Sequence, residues 1–340
     1  MGLKPNIEAA ILGCLYGQAT GDAMGMPSEL WRQDKVQQFF GWIDHFLPGP
    51  DENIAAIGFR AGEVTDDTHQ AIALMDAIIA CNGQVEPKVV AQNILAWADR
   101  INAFDKNIFG PTSKQSLLAI QAGVPINDIV SNGVTNGVTN GAAMRIAPVG
   151  CIASTADRNQ FIKTVEAACI PTHKSDIAIA GACVIAWAIS RAIEQTPWPQ
   201  IKQELPLLAD EVQQLYASTF SPSLGQRILL AFKKASELQT CSPQTTLKEL
   251  YDFIGAGMDT IESIPCALAI VDLTNGDPVM CAKYCANLGG DTDTIGAMAG
   301  AISGALSGIQ SFPEEWIAMI NNSNNIDFYP YAKILSALRH

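Results

Sequence analysis

The sequence has little positive charge and few of the nitrogen ligands on which zinc sites are built. Its 340 residues include 21 Lys or Arg against 34 Asp or Glu, for a net charge of −13. Such a chain lacks the basic surface that replaces counterions on a phosphate backbone or an anionic membrane. The 4 histidines show no zinc-ligand spacing. We therefore expect neither nucleic acid nor a membrane as a partner.

Cysteine pairs and long apolar runs are also missing. The 9 cysteines include no Cys-x-x-Cys pair, and most lie among Ala, Ile and Val, where a thiol behaves as a small apolar side chain. An odd number without a disulfide framework is typical of a reducing compartment. The longest apolar stretches, 177–190 and 295–309, are shorter than the roughly 20 residues of a membrane-spanning helix, and we recognise no signal peptide. These features predict a cytoplasmic protein.

Alternation of apolar and polar residues, the mark of a β-strand, is absent as well, whereas apolar residues at helical spacing are common. Glycines recur at every fourth position in two segments: Gly13, Gly17, Gly21 and Gly25, then Gly296, Gly300, Gly304 and Gly308. Four-residue spacing places a smooth groove on one helix face, at a cost of about 1 kcal/mol per interior glycine. We predict that residues 8–21 and 295–308 form helices in direct contact. The sequence thus predicts an all-α protein with a single domain over residues 1–340.

The sequence does contain two short segments that are dense in Asp and Thr, whose side-chain oxygens can bind a metal ion. Residues 65–68 read Thr-Asp-Asp-Thr, residues 289–294 read Gly-Gly-Asp-Thr-Asp-Thr, and each cluster leads into an apolar run. One such residue is enough to cap a helix N-terminus, but here several carboxylates and hydroxyls occur together. Oxygen-only ligands suit a hard divalent cation such as Mg²⁺ or Mn²⁺. We interpret the two clusters as parts of one metal site.

Other acidic motifs fit less well. An EF-hand starting at Asp291 would place Ile295 and Ile302 at ligand positions, which excludes it. A phosphatase Asp-x-Asp-x-Thr nucleophile needs Thr at position 295 and a preceding strand. A glycosyltransferase Asp-x-Asp site agrees with the residues but needs an α/β nucleotide-binding domain that the helical pattern does not predict. A site that joins both clusters remains the best interpretation.

Five motifs in order resemble those of the ADP-ribosylglycohydrolase family, which includes the dinitrogenase reductase activating glycohydrolase. They are Gly-Asp-Ala-Met-Gly at 21–25 with Glu29, Thr-Asp-Asp-Thr at 65–68, Asn-Gly-Ala-Ala-Met-Arg at 140–145, Thr172-His173, and the 289–294 cluster. The matches extend from about residue 8 to residue 316. The resemblance implies an orthogonal multi-helix bundle that holds two divalent cations, with Mg²⁺ preferred over Mn²⁺. It also implies hydrolysis of a glycosidic bond to the ribose of ADP-ribose, in a modified protein side chain or an ADP-ribose conjugate.

The resemblance further implies a role for individual residues. The cation ligands are Thr65, Asp66 and Asp67 for one ion, Asp291 and Thr294 for the other, and Asp293 for both. Glu29 corresponds to the family's catalytic acid or base, and Asp22 to a residue that orients the ligands. The implied substrate contacts are Gly110, Pro111, Thr112, Asn140, Gly141, Ala142, Met144 and His173. Of these, residues 140–144 are expected to offer loop N–H groups to the diphosphate.

Alternatives remain at this point. Glu29 follows a Pro-Ser turn and is also explained as a solvated carboxylate, and His173 is equally explained as a helix cap. The protein could be a metal-dependent ribosyl hydrolase that acts on a free nucleoside or a small ribosyl metabolite. It could also be a non-catalytic ADP-ribose-binding or structural protein, although the intact metal positions and Glu29 weigh against this. Val64 and the tandem Val-Thr-Asn-Gly within 131–141 depart from the family pattern; both spare the cation ligands but leave the bound substrate open.

Overall fold

The chain is described from a computed structural model that covers residues 6–106, 108–129, 137–216 and 218–340. Within these ranges the α-helices are α1 Ile7–Gly25, α2 Gln33–Phe40, α3 Asp66–Ala80, α4 Pro87–Ile101, α5 Pro111–Gln121, α6 Ala147–Ile152, α7 Arg158–Cys169, α8 Asp176–Ile193, α9 Trp198–Leu215, α10 Leu224–Leu238, α11 Pro243–Phe253, α12 Thr260–Leu273, α13 Pro278–Ala286, α14 Thr292–Ser307, α15 Glu314–Asn324 and α16 Tyr329–Leu338. These same ranges contain no β-strand, and only two isolated bridges form, Trp31 with Gly290 and Thr139 with Asp259. The all-α prediction is confirmed.

Helices α1 and α14 lie antiparallel with their backbones in contact. A Cβ atom at Gly17 would overlap the carbonyl oxygen of Gly300, and one at Gly21 would overlap that of Gly296. Because no side chain fits between the two helices, the entropic cost of the glycines is offset by the close approach that they allow. The predicted contact between 8–21 and 295–308 is confirmed. It brings the C-terminal end of α1 to the N-terminal end of α14.

Helix α8 is buried on nearly all sides. It is the one helix of the described chain that is long and apolar enough to cross a membrane, but 94% of its 18-residue window is buried inside the protein. It packs against α6, α7, α9, α12 and α14. A helix that is apolar all round is expected at the centre of a large fold. The buried apolar side chains around it form a connected cluster that extends from α1 to α16.

The segment before residue 140 carries the tandem Val-Thr-Asn-Gly. Residues 131–136 of this repeat lie outside the described part of the chain. From Gly137 the backbone leads into a 3₁₀ turn at Asn140–Ala142 and then to α6. The Thr139–Asp259 bridge and the bond from the Thr260 N–H to the Val138 carbonyl oxygen (3.0 Å) attach this segment to the start of α12.

Candidate metal centre and active site

The two acidic clusters meet where α1 ends and where α3 and α14 begin. Asp66 is the first residue of α3, and Asp291 is the residue immediately before α14. The Thr294 hydroxyl lies against the carboxyl groups of both Asp67 and Asp291 and lowers the pKa of each. The structure therefore brings residues 65–68 and 291–294 together, although some 220 residues separate them along the chain.

Asp22, in the last turn of α1, caps the N-terminus of α3. Its carboxylate accepts bonds from the Thr65 N–H at 3.0 and 3.1 Å, from the Thr68 N–H at 3.1 Å and from the Thr68 hydroxyl at 2.5 Å. These bonds satisfy N–H groups that have no partner within the helix. Asp22 thus orients the 65–68 cluster, which supports the role that the family resemblance implies for it.

Neighbouring side chains fix the first turns of α3 and α14. The Gln70 amide donates to Asp66 Oδ2 at 2.8 Å, and the Asn140 amide donates to Asp291 Oδ2 at 2.6 Å. The Thr292 hydroxyl donates to the Gly25 carbonyl oxygen at 2.8 Å. That bond attaches α14 to α1 and directs the Thr292 side chain away from the carboxylates.

The carboxyl groups of the site are held in surroundings that disfavour their charge. Burial raises the pKa of Asp22 and of Asp291 to about 6 and that of Asp66 to about 7. Burial and then the neighbouring carboxylates raise the pKa values of Asp67 and Asp293 well above their ordinary range. Opposite charge placed among such groups favours their ionised form. The cluster is therefore suited to holding cations.

Two carboxyl oxygens strengthen this conclusion. Asp67 Oδ2 and Asp293 Oδ1 are buried and have no hydrogen-bond partner among the described residues. A buried polar oxygen without a partner is costly, and a metal ion is one of the ligands that satisfies it. The donors available around both atoms are oxygens of Asp and Thr, which Mg²⁺ and Mn²⁺ prefer. The residues present fit a divalent cation.

Glu29 lies among the carboxylates of the candidate metal centre, closer than its predicted role required. One carboxylate oxygen from each of Glu29, Asp291 and Asp293 lies within 4.8 Å of the others, a spacing that can hold a metal ion. Burial, followed by the charges of Asp291 and Asp66, raises the pKa of Glu29 well above its ordinary range. This is no freely solvated carboxylate. Glu29 is placed where it can act as an acid or base, and also where it can reach a cation.

The 140–144 segment reaches the site through a side chain as well as through its backbone. The Asn140 amide binds Asp291, as described above. The Asn140 N–H donates to the Met258 carbonyl oxygen at 3.0 Å, and the Met144 N–H donates to the Asn140 carbonyl oxygen at 3.0 Å. The expectation that these two N–H groups bind a diphosphate is therefore corrected, because internal bonds already use them. Gly141 and Ala142 lie between them in the 3₁₀ turn, and both are buried.

His173 lies beneath this segment. It is 1% exposed, and its Nε2 and Nδ1 atoms bond the hydroxyls of Thr139 and Thr172 at 3.0 and 2.9 Å. Burial lowers its pKa to about 3, so the ring is neutral. Ser175, not His173, caps α8, so the helix-cap alternative is wrong. With both ring nitrogens bonded to protein groups, His173 supports the backbone at Gly141, against which its ring packs.

Gly110, Pro111 and Thr112 form the start of α5. Gly110 is the residue before the helix, and Pro111 occupies its first turn, where a missing N–H is tolerated. The Thr112 hydroxyl accepts a bond from the Gly137 N–H at 3.3 Å. Through Thr112 this turn contacts the segment that carries Asn140, whereas Gly110 and Pro111 are exposed.

Arg145 was not singled out by the sequence, yet it connects the two halves of the site. It is fully buried and donates to Gln70 Oε1 at 3.0 Å, to the Gly141 carbonyl oxygen at 2.7 Å and to the Thr172 hydroxyl at 2.6 Å. Since Gln70 binds Asp66, a chain of hydrogen bonds runs from the α3 carboxylates to the 140–144 segment. The available signal was a lone arginine in the apolar stretch Ala-Ala-Met-Arg-Ile-Ala, because a buried cation needs several partners.

One cavity lies beside the carboxylates and not among them. It has a volume of about 450 Å³ and shares Gly290 with the loop before α14. Its other walls come from the end of α11, the 255–257 turn, Arg227 and Glu262. None of the proposed cation ligands lines it. The site is thus located by its carboxylates and not by this cavity.

Comparison with known proteins agrees with this architecture. A family model described as ADP-ribosylglycohydrolase matches residues 3–339. The uncharacterized protein YegU of Escherichia coli (strain K12) is 51% identical over 97% of this chain and 97% of its own. The ADP-ribosylhydrolase ARH3 of Homo sapiens is 27% identical over 89% of this chain and 87% of its own.

A solved structure shares the fold. It is described as an ADP-ribosylglycohydrolase-related protein complex, and it superposes with a TM-score of 0.67 at 21% identity, covering 98% of this chain and 99% of that chain. At this identity the likeness concerns the fold alone. The family model, by contrast, covers almost every residue that forms the carboxylate site and its supports. The chain belongs to the ADP-ribosylglycohydrolase family.

Proposed function

We propose that this protein uses two divalent cations to hydrolyse a glycosidic bond to the ribose of ADP-ribose. The substrate is an ADP-ribosylated protein side chain or an ADP-ribose conjugate. The observation that carries the proposal is the group of buried carboxyls at the start of α3 and α14, in which Asp67 Oδ2 and Asp293 Oδ1 have no hydrogen-bond partner among the described residues. The family's activity and the names of its members supply the substrate class.

The proposed ligands are those of the two clusters: Thr65, Asp66 and Asp67 for one cation, Asp291 and Thr294 for the other, and Asp293 for both. Mg²⁺ is proposed ahead of Mn²⁺. When bound, the cations supply positive charge that holds ribose hydroxyls and aids the ionisation of water. Asp22 and Gln70 hold the ligands in place by the hydrogen bonds described above.

Glu29 is the proposed acid or base. Its raised pKa favours the protonated carboxyl group, which can donate its proton to the departing group. Cations bound beside it counteract part of this rise. The alternative role of Glu29 as a cation ligand is supported by its position near Asp291 and Asp293, and a variant described in the Discussion distinguishes the two roles.

The proposed substrate contacts surround this centre. Gly141 and Ala142 lie in the 3₁₀ turn next to Asn140, whose side chain binds Asp291, and Met144 follows them. Gly110, Pro111 and Thr112 approach from α5. His173 is proposed to act indirectly, by supporting the Gly141 backbone. Together these groups would orient the ADP-ribosyl group so that its anomeric carbon faces Glu29.

The test is a turnover assay on purified protein stripped of metal and then supplied with Mg²⁺ or Mn²⁺. Its substrates are peptides ADP-ribosylated on arginine or on serine, O-acetyl-ADP-ribose and free nucleosides. We expect release of ADP-ribose that depends on added cation and is lost in Asp293→Asn. Asp105→Asn removes one exposed carboxylate outside the site and should behave as wild type.

Other outcomes would identify the competing functions. Cleavage of free nucleosides alone would indicate a ribosyl hydrolase for small metabolites. Tight binding of ADP-ribose by calorimetry, without turnover of any substrate in either cation, would indicate a non-catalytic binding protein. Turnover that is unaffected by chelation would contradict the role given to the carboxylates.

A further inference from the structure

The turn that carries Glu29 has a bulky apolar residue where glycine is favoured. Glu29 has φ −50° and ψ 135°, Leu30 has φ +58°, and the Trp31 N–H donates to the Ser28 carbonyl oxygen at 3.1 Å. These features describe a type II β-turn with Leu30 at its third position, where positive φ favours Gly or Asn. A leucine there is strained because its Cβ crowds the backbone.

Leu30 differs from the other non-glycine residues with positive φ in the described ranges. Those residues are Asn82, Asn102, Gln195, Asn275 and Asn325. All five lie within two residues of the C-terminal end of an α-helix, where the left-handed conformation is common, and all five are polar. Leu30 alone among them is apolar, and it directly follows the proposed acid or base. Strain retained at such a position is a signal of function.

Hydrogen bonds on both sides hold the turn in this conformation. The Leu30 N–H donates to the Gly290 carbonyl oxygen at 2.7 Å, beside the 291–294 cluster. On the other side the buried Asn53 amide donates to the carbonyl oxygens of Pro27 and Glu29, at 3.1 and 2.9 Å. The surrounding structure therefore enforces the strained turn, and it fixes the direction of the Leu30 side chain.

About half of Leu30 remains exposed to solvent, and two nearby isoleucines are exposed as well. Leu30 is 52% exposed, Ile54 is 92% exposed and Ile57 is 55% exposed. Leu30 follows Glu29 and Ile54 follows Asn53, so each is one residue from the hydrogen bond that joins Asn53 to Glu29. We name Leu30, Ile54 and Ile57 the apolar lip. Exposed apolar groups gathered at one place favour an interaction surface over simple tolerance.

We propose that the apolar lip binds the polypeptide that departs from the ribose, and that Leu30 is the residue that gives preference for such a leaving group. The inference rests on the proposed function, because Glu29 is taken to act at the scissile bond. A leaving group bound beside Glu29 would contact Leu30, the next residue along the chain. Only a leaving group that extends beyond the bond, as a peptide does, also reaches Ile54 at the outer edge.

The test compares two substrates of wild type and variants. The first is an ADP-ribosylated peptide with apolar residues beside the modified side chain, and the second is O-acetyl-ADP-ribose, whose leaving group is small. Leu30→Gly and Leu30→Ala should each lower the ratio of kcat/KM, peptide over acetyl ester, by about tenfold, as expected for losing one leucine contact. Ile54→Ser should lower it in the same direction. Leu207→Ser, which alters a 73% exposed leucine on α9, should leave the ratio unchanged.

A melting experiment separates contact from strain. Both Leu30 variants lose the side chain, but only glycine also removes the strain, so Leu30→Gly should melt roughly 2 °C above Leu30→Ala. If both variants lose activity equally on the two substrates, Leu30 only positions Glu29, and the proposal is overturned. An unchanged ratio in Leu30→Ala and Ile54→Ser also overturns it, while turnover of the acetyl ester would keep the proposed function intact. A wild type that hydrolyses neither substrate refutes both.

Discussion

Removing divalent cations should make the stability of this protein strongly dependent on pH. Burial raises the pKa of Asp22 and Asp291 to about 6 and that of Asp66 to about 7, from an ordinary value of 3.8. A carboxyl group whose pKa is raised by folding costs no stability below its unfolded-state pKa, because it is neutral in both the folded and the unfolded protein. As the pH rises through the folded-state pKa, the group must ionise where charge is disfavoured. Without cations, the protein should therefore lose stability between about pH 4 and pH 7.

The loss of stability can be estimated from a single carboxyl group, that of Asp291. A rise from 3.8 to about 6 for Asp291 corresponds to roughly 3 kcal/mol of unfolding free energy. The unfolding entropy of a chain of 340 residues is about 0.7 kcal/mol per degree, so one such group lowers the melting temperature by about 4 °C. A cation present at a thousand times its Kd restores about 4 kcal/mol, or about 6 °C, for each ion bound.

Calorimetric melting at pH 4.5 to 8, in EDTA and in excess Mg²⁺ or Mn²⁺, measures both effects. Asp293→Asn is the most informative variant, since its amide carries no charge. At pH 7.5 the metal-free variant should melt above the metal-free wild type, and it should gain less from added cation. The control is Asp105→Asn, which removes an exposed carboxylate and should follow wild type in every condition.

Two results would refute this reasoning. The first is a melting temperature in EDTA that stays constant from pH 4.5 to 8. The second is a metal-free Asp293→Asn protein that is less stable than metal-free wild type at pH 7.5. Either would mean that the folded state does not disfavour the charged form of these carboxyl groups.

Three other changes test separate parts of the structure. Glu29→Gln should keep cation binding, measured by calorimetry, and should lower kcat by about 10²–10⁴-fold, as expected when an acid or base is lost. A loss of cation affinity with normal turnover per bound cation would instead show that Glu29 is a ligand. Gly300→Ala should lower the free energy of unfolding in urea by about 3 kcal/mol because its Cβ overlaps the backbone of α1, whereas Gly110→Ala, with nothing within 4 Å, should change it by less than about 0.5 kcal/mol. Gln70→Ala should weaken cation binding about 10–100-fold by releasing the Asp66 carboxylate, and unchanged cation affinity would contradict this.

Much of the fold is predictable because its signals are periodic. Glycine at every fourth position marks one helix face, and two such faces predict the contact of α1 with α14. With the two helices antiparallel, that contact places the 291–294 cluster at the same end of the fold as Asp22. The prediction succeeds since a single geometric rule, the repeat of the α-helix, connects the sequence to the packing.

The supports of the site are harder to predict because they depend on tertiary contacts between distant residues. Nothing in Pro-Ser-Glu-Leu indicates positive φ at Leu30. That conformation is held by the bond from the Leu30 N–H to the Gly290 carbonyl oxygen and by the bond from the Asn53 amide to the Glu29 carbonyl oxygen. The role of Arg145 likewise depends on partners that come from three separate segments. For His173 a sequence position just before α8 suggests a cap, but the actual cap is two residues further on.

The N-termini of α3 and α14 show why helix capping alone does not explain the acidic clusters. A helix N-terminus stabilises a nearby negative charge by about 0.3–1 kcal/mol, and a capping bond adds about 1 kcal/mol. Burial raises the pKa of Asp66, at the first residue of α3, to about 7, which corresponds to roughly 4 kcal/mol against the charged form. Because this rise already includes the repulsion from Asp22 and the hydrogen bonds that favour the charged form, the helix terminus does not balance the cost of the Asp66 charge. A positive charge bound between the two clusters is large enough to close this gap, whereas further capping bonds are not.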